Sequence, residues 1–301
     1  MRPPRPTERL PHRRRAVRPL AATAAIGLLA VTGVAQAGGS SPAADQADRP
    51  HLLIQAHRGY SEVYPENTLA AMRAAFDAGA DRVEGDLALT ADGHVVYMHD
   101  RTVDRTTDGS GRVASMTLEE IKTLDAGSWK DPRFAGEPVP TLSEALDLAD
   151  GRGELNLELK TNALTLLQIV DLVEATLAVI DAHDARDRVV VSSFDMRALQ
   201  MVEERDPEVR ILVIDWSSGG TGSGVEVAIA RGWYGAALNR QYMTEEQVRR
   251  AAEAGLFTHA GAGRGAPLDT WVSWGLQGVS NDDPAMLHAW LTELGYRPDD
   301  P

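Results

Sequence analysis

The sequence has no cysteine, which excludes disulfide bonds and thiolate chemistry. Its one long apolar run, "LAATAAIGLLAVTGVA" over residues 20–35, falls short of the roughly 20 residues that a membrane-crossing helix needs. The flanks of that run favour a leader over an anchor. Seven arginines lie between Arg2 and Arg18, and the small-residue site Ala35-Gln36-Ala37 follows. A basic start, a moderately apolar stretch and A-x-A together read as a secretory signal peptide over residues 1–37, and so as a secreted, extracellular protein. The Arg14–Arg15 pair leaves both the twin-arginine and the general export route open.

Positive charge is scarce beyond the leader. Removing residues 1–37 takes seven of the 30 basic side chains and only one of the 44 acidic ones, leaving a formal net charge of −20. Such a surface repels nucleic acid and anionic bilayers. A small soluble substrate is favoured, with no nucleic-acid partner and no stable membrane insertion after leader cleavage. Residues 38–50, "GGSSPAADQADRP", are small and polar and read as a linker. The folded domain is then expected over residues 51–301.

From His51 the chain alternates short β-prone runs with helical patterns. The runs are "HLLIQAH", "DRVEGDLAL", "ELNLELK", "RVVVSSF", "VRILVID", "GWYGAALN", "GLFTHAG" and "LQGVSND". Eight strands alternating with helices predict an α/β fold, a parallel (β/α)8 TIM barrel, with an open doubly wound sheet as the alternative. Thr68 and Thr244 suit helix N-caps, and Gly79 and Gly255 suit helix ends. One interval breaks the rhythm: after the extra run "HVVYMHD", residues 101–140 form a small insertion between the second and third strands.

In such a barrel the reactive face lies where the strands end. His57 and Arg58 close the first strand; Glu84 and Asp86 sit two apart on the second, so they share a face; Glu158 and Lys160 repeat that spacing on the third. His99 and Asp100 end the extra run. Three acids facing one interior repel unless a cation lies among them. Carboxylates without thiolates favour Ca²⁺ or Mg²⁺ over Zn²⁺. A structural ion-pair cluster with Arg58 and Lys160 is the other reading of the same residues.

These segments resemble the glycerophosphodiester phosphodiesterase family. The likeness rests on "HRG" at 57–59, "PENT" at 65–68, "VEGDLALTADGHVVYMHD" at 83–100, "PTLSEAL" at 140–146, "LNLELK" at 155–160 and "SSFD" at 192–195, in that order. The resemblance implies a calcium- or magnesium-dependent barrel hydrolase that converts glycerophosphodiesters to an alcohol and glycerol 3-phosphate. By the same resemblance, Glu84, Asp86 and Glu158 would hold the metal, His57 and His99 would form the acid–base pair, and Arg58 and Lys160 would grip the phosphate. A cyclic-phosphate route and direct attack by water both stay open. A turn accounts for "YPENT", but its position after His57 also suggests that Glu66 and Asn67 orient His57 or Arg58. Phe194 and Trp216 follow the fourth and fifth strands, where each lines a pocket or packs at its rim.

The seventh strand departs from the family pattern. Where relatives carry a stretch resembling "WTVN", this chain has Thr258, His259, Ala260 and Gly261, which puts the alcohol-side specificity in doubt. His259 reads there as an ordinary polar strand end, with a pocket residue as the alternative, and "GAGRG" after it as a flexible loop, with a phosphate cradle as the alternative. Two further classes compete with the leading one. One is a phospholipase-like enzyme, or a hydrolase of a wall-teichoic-acid-type glycerophosphate polymer; the other is a non-catalytic phosphodiester-binding barrel.

Overall fold

The computed structural model describes residues 49–298. The expected leader, and the linker up to residue 48, lie outside that range. Nine strands form one sheet: β1 (Leu53–Ala56), β2 (Arg82–Leu89), β3 (Val95–Tyr97), β4 (Glu154–Leu159), β5 (Val189–Ser193), β6 (Arg210–Asp215), β7 (Gly235–Leu238), β8 (Phe257–Gly261) and β9 (Gly278–Asn281). β1 pairs in parallel with both β2 and β9, so the sheet closes and the open alternative is excluded. The eight parallel strands of the ring are the eight runs expected from sequence. β3 stands outside the ring, antiparallel on β2.

Helices cover the outside of the ring, so its outward-facing strand residues are apolar. Ile54, Val83, Leu157, Val191 and Val213 belong to this helix–sheet core and are almost fully buried. The first helix, α1 (Leu69–Asp77), starts where Thr68 accepts a hydrogen bond from the Ala71 N–H. It stops before Gly79, whose φ of 83° is a conformation that only glycine adopts freely. Thr244 caps a later helix in the same way, and Gly255 follows that helix with a φ of 77°.

The inward-facing residues follow a different rule. The parallel register matches Arg82 with Glu154, Glu84 with Asn156, and Asp86 with Glu158. Side chains two apart share a face, so the interior of the ring carries charge in layers. At the N-terminal end Arg82 is fully buried. It donates to Glu154 at 2.6 Å and to Tyr234 at 3.0 Å, and lies 5.0 Å from the centre of the Phe257 ring. Arg210 also donates to Glu154, at 2.6 Å. This plug of paired charge closes the end of the barrel away from the expected site.

The insertion between the second and third ring strands contains β3, a single-turn helix (Leu118–Ile121) and two 3₁₀ turns. Thr117 and Glu120 start that helix with reciprocal side-chain bonds to each other's backbone N–H. Val96, Val103, Val113, Ile121 and Val139 give the insertion a small core of its own. Among the described residues no helix is long and apolar enough to cross a membrane.

Candidate active site at the C-terminal mouth of the barrel

Glu84, Asp86 and Glu158 meet inside the mouth, where one oxygen of each lies within 4.8 Å of the others. Asp86 is 1 % exposed and Glu84 4 %. Two cationic side chains approach them. Lys160 Nζ lies 2.9 Å from Glu158 and 3.3 Å from Asp86, and Arg58 Nε lies 3.3 Å from Asp86. Glu84 accepts only the backbone N–H of Arg58, at 2.9 Å, and its buried Oε1 has no hydrogen-bond partner.

Arg58 and Lys160 form their ion pairs with Asp86 and Glu158 and not with Glu84. Burial, reinforced by repulsion from Asp86, pushes Glu84 up to about 8. Burial and Asp86 likewise raise Glu158, against the pull of Lys160. Burial also opposes the charge of Asp86, but Lys160 and Arg58 outweigh it and hold that carboxyl low. An all-oxygen, carboxylate-rich donor set with unsatisfied buried oxygens fits a hard divalent cation.

The loop after β1 shapes this pocket through two left-handed residues. Arg58 has a φ of 57° and Asn67 a φ of 59°. Asparagine tolerates that region well, whereas an arginine there is strained, as residues at working sites often are. The twist at Arg58 aims its N–H at Glu84 and its side chain at Asp86 and at Glu66, to which Nη1 donates at 3.0 Å. The expected contact of Glu66 with Arg58 is therefore present. Asn67 differs from expectation. Its side chain reaches neither His57 nor Arg58. Instead its amide donates to Asp86 Oδ2 at 2.8 Å and accepts the Asp86 N–H at 3.1 Å.

His57 and His99 flank the carboxylates, each tied to an acid through the same ring atom. His57 Nδ1 donates to Asp282 at 2.6 Å, and His99 Nδ1 donates to Asp100 at 2.7 Å. Each bond fixes the ring and leaves Nε2 for a ligand. Burial works against the charge of His57, but the Asp282 bond and Glu84 outweigh it and lift the ring to about 9. Its side chain still keeps 43 % of its surface accessible. Arg105 ties the His99 side together, donating to Asp100 at 2.7 Å and to both oxygens of Glu66, at 2.8 and 2.7 Å.

A cavity of about 670 Å³ opens at the mouth and is lined by His57, Arg58, Glu84, His99, Glu158 and Lys160. Phe194 and Trp216 stand at its rim, 42 % and 61 % exposed, in edge-to-face contact with ring centres 4.9 Å apart. A second groove, of about 900 Å³, runs along the insertion and shares His99 and Lys160 with the cavity. "GAGRG" offers no arginine to the site, because Arg264 donates to Glu293 at 2.7 and 2.8 Å.

Sequence reasoning missed Asp282 and Arg105, and for His259 the pocket alternative holds over the preferred one. His259 is not an ordinary strand end: it is 3 % exposed, pairs in register with Ala237 and Gly278, and lines the cavity. Asp282 sits in the short turn between β9 and the last helix. The signal that reveals it is barrel closure, since Ala56 pairs with Asn281 and the next residue of each strand meets its counterpart.

The likenesses of the chain agree with this geometry. It is 43 % identical over 160 residues to a glycerophosphodiester phosphodiesterase of Caldanaerobacter subterraneus subsp. tengcongensis, a match that covers 53 % of this chain and 65 % of that protein. It is 31 % identical over 252 residues to a glycerophosphodiester phosphodiesterase of Bacillus subtilis, covering 79 % of this chain and 85 % of that one. Among solved structures, an Oleispira antarctica phosphodiesterase in complex with the product sn-glycerol-3-phosphate superposes with a TM-score of 0.72 at 30 % identity, covering 79 % of this chain and 95 % of that one. The model of the glycerophosphoryl diester phosphodiesterase family matches residues 57–284, and the chain belongs to that family.

Proposed function

We propose that the chain is a secreted, divalent-metal-dependent phosphodiesterase that hydrolyses glycerophosphodiesters to an alcohol and glycerol 3-phosphate. One observation carries this reading. Three buried carboxylates cluster together, and two of them line a single cavity with two carboxylate-anchored histidines, Arg58 and Lys160.

In this reading Glu84, Asp86 and Glu158 hold Ca²⁺ or Mg²⁺, which when bound supplies positive charge to the phosphoryl oxygens. Arg58 and Lys160 grip the diester and stabilise the negative charge that grows as a nucleophile adds. One of His57 and His99 accepts a proton from the attacking hydroxyl, and the other donates one to the departing alkoxide. Asp282 and Asp100 keep both rings oriented for those transfers. Phe194 and Trp216 border the entrance. The 900 Å³ groove beside His99 favours one extension, a leaving alcohol larger than choline, as in a lipid or a glycerophosphate polymer.

Incubation with glycerophosphocholine, with and without a chelator, tests the reading. Glycerol 3-phosphate should form only in the presence of metal, and alanine at His57 or His99 should lower turnover by ~10²–10⁴-fold. Tight binding without turnover would support a phosphodiester receptor instead. The leader over residues 1–37 and the linker after it are part of the same proposal. Mass spectrometry of protein recovered from the medium of a secreting host should find a chain that begins at Gly38.

A further inference from the structure

Beneath the carboxylates the barrel interior stays polar, and the reaction outlined above leaves that layer unused. Asn156 on β4, Ser192 on β5 and His259 on β8 are 2 %, 0 % and 3 % exposed. All three line the same cavity of about 670 Å³ as His57 and Lys160. Asn156 Oδ1, Ser192 Oγ and both ring nitrogens of His259 have no hydrogen-bond partner. Parallel register sets Asn156 beside Glu84 and Ser192 beside Glu158, while β8 lies four strands from β4 around the ring.

Branched apolar side chains usually fill this layer of a barrel, and native interiors rarely leave buried polar atoms unmet. These atoms are also alike in charge. Burial, with the Arg82 guanidinium nearby, holds the His259 ring neutral, so one of its nitrogens donates and the other accepts. A neutral amide oxygen and a hydroxyl face the same space. The partner that matches such a set is an uncharged group that both gives and takes hydrogen bonds: a hydroxyl.

We propose that Asn156, Ser192 and His259 form a polyol subsite that receives the hydroxyls of the glycerol half of the diester. The leaving alcohol then departs on the other side, past His99 towards the groove along the insertion. This inference rests on the phosphodiesterase reading and assigns the two halves of the substrate within it. The subsite makes the enzyme selective for diesters that carry free hydroxyls on the retained half.

The test compares His259→Phe, which removes both hydrogen-bonding atoms, with His259→Gln, which keeps a donor and an acceptor. The readouts are kcat/KM for glycerophosphocholine against hydroxyl-free bis(4-nitrophenyl) phosphate, and inhibition by glycerol 3-phosphate against methyl phosphate. In His259→Phe the loss for glycerophosphocholine should exceed the loss for the hydroxyl-free diester by roughly tenfold. The inhibition constant of glycerol 3-phosphate should rise by a similar factor relative to that of methyl phosphate, and His259→Gln should recover most of both. Equal losses for both diesters, or no loss for either, would overturn the subsite, the second outcome leaving the layer to water alone. If His259→Phe melts early, Ser192→Ala carries the same comparison. Should the wild type turn over neither diester, the phosphodiesterase reading fails. Calorimetric binding of glycerol 3-phosphate against methyl phosphate then still decides the subsite.

Discussion

His259 couples the stability of the barrel to pH in a way that can be worked out from its surroundings. The ring is 3 % exposed, and neither nitrogen is hydrogen-bonded. Burial first, and the positive charge of Arg82 second, hold it down from the ordinary 6.5 to about 3. On unfolding, the ring regains its ordinary value. Between pH 6.5 and 3 the unfolded chain therefore binds a proton that the folded chain refuses, and stability falls as the pH falls through that window. The slope approaches ~1.4 kcal/mol per pH unit for one group. Taking the protein from pH 7 to pH 5 should thus cost about 2 kcal/mol through this residue alone. Urea unfolding in chelator at pH 7, 6 and 5 measures it, with His259→Gln as the reference because glutamine does not titrate. The carboxylates contribute the same pH dependence to both proteins and cancel in the difference. The variant should lose about 2 kcal/mol less than the wild type over that interval. Superimposable pH dependences would refute a neutral, buried ring.

Calcium or magnesium at a hundred times its dissociation constant should stabilise the fold by about 2.7 kcal/mol, read as a rise in melting temperature. Glu158→Gln should abolish most of that rise, and a wild type indifferent to both metals would count against the carboxylate site. Asn67→Gly keeps the left-handed backbone unstrained but removes both bonds to Asp86, and calorimetric titration should find metal affinity reduced roughly 10–100-fold. Gly85→Ala would place a Cβ 2.4 Å from the Tyr97 ring, which is 2 % exposed. Chemical denaturation should show about 1–3 kcal/mol of lost stability, and a neutral result would mean that the ring moves aside freely.

The barrel could be read from its sequence because each ring strand carries its own local signal: a short β-prone run bounded by turn residues and helical patterns. Strand alternation also sufficed for Glu84, Asp86 and Glu158, since residues two apart share a face whatever the tertiary fold. Closure could not be read in the same way. It depends on β1 pairing with β9, and the two partners lie more than 200 residues apart. What depends on closure was hidden with it, foremost the bond from His57 to Asp282. Asn67 was misjudged for a local reason. Its left-handed φ turns the amide away from the neighbouring strand end and onto β2.

The insertion shows why a segment that adds little to the barrel can still be integral to the site. Arg105 lies in it, five residues beyond Asp100 and 39 beyond Glu66, and binds both carboxylates. Asp100 holds His99 and Glu66 holds Arg58, so one guanidinium constrains a proposed proton carrier and a proposed phosphate grip together. Its hydrogen bonds, foremost among the causes, hold Asp100 at about 2. Burial opposes the charge of Glu66, but Arg105 and Arg58 outweigh it and hold that carboxyl low, so both carboxylates stay ionised through the pH range where histidine changes charge. A segment serving only as a cover could lose this arginine at no cost to the chemistry beneath it. Here Arg105→Met should loosen His99 and Arg58 at once. kcat should then fall in parallel for every diester tested, whatever its leaving alcohol, and a fall confined to bulky leaving groups would return the insertion to the role of a cover.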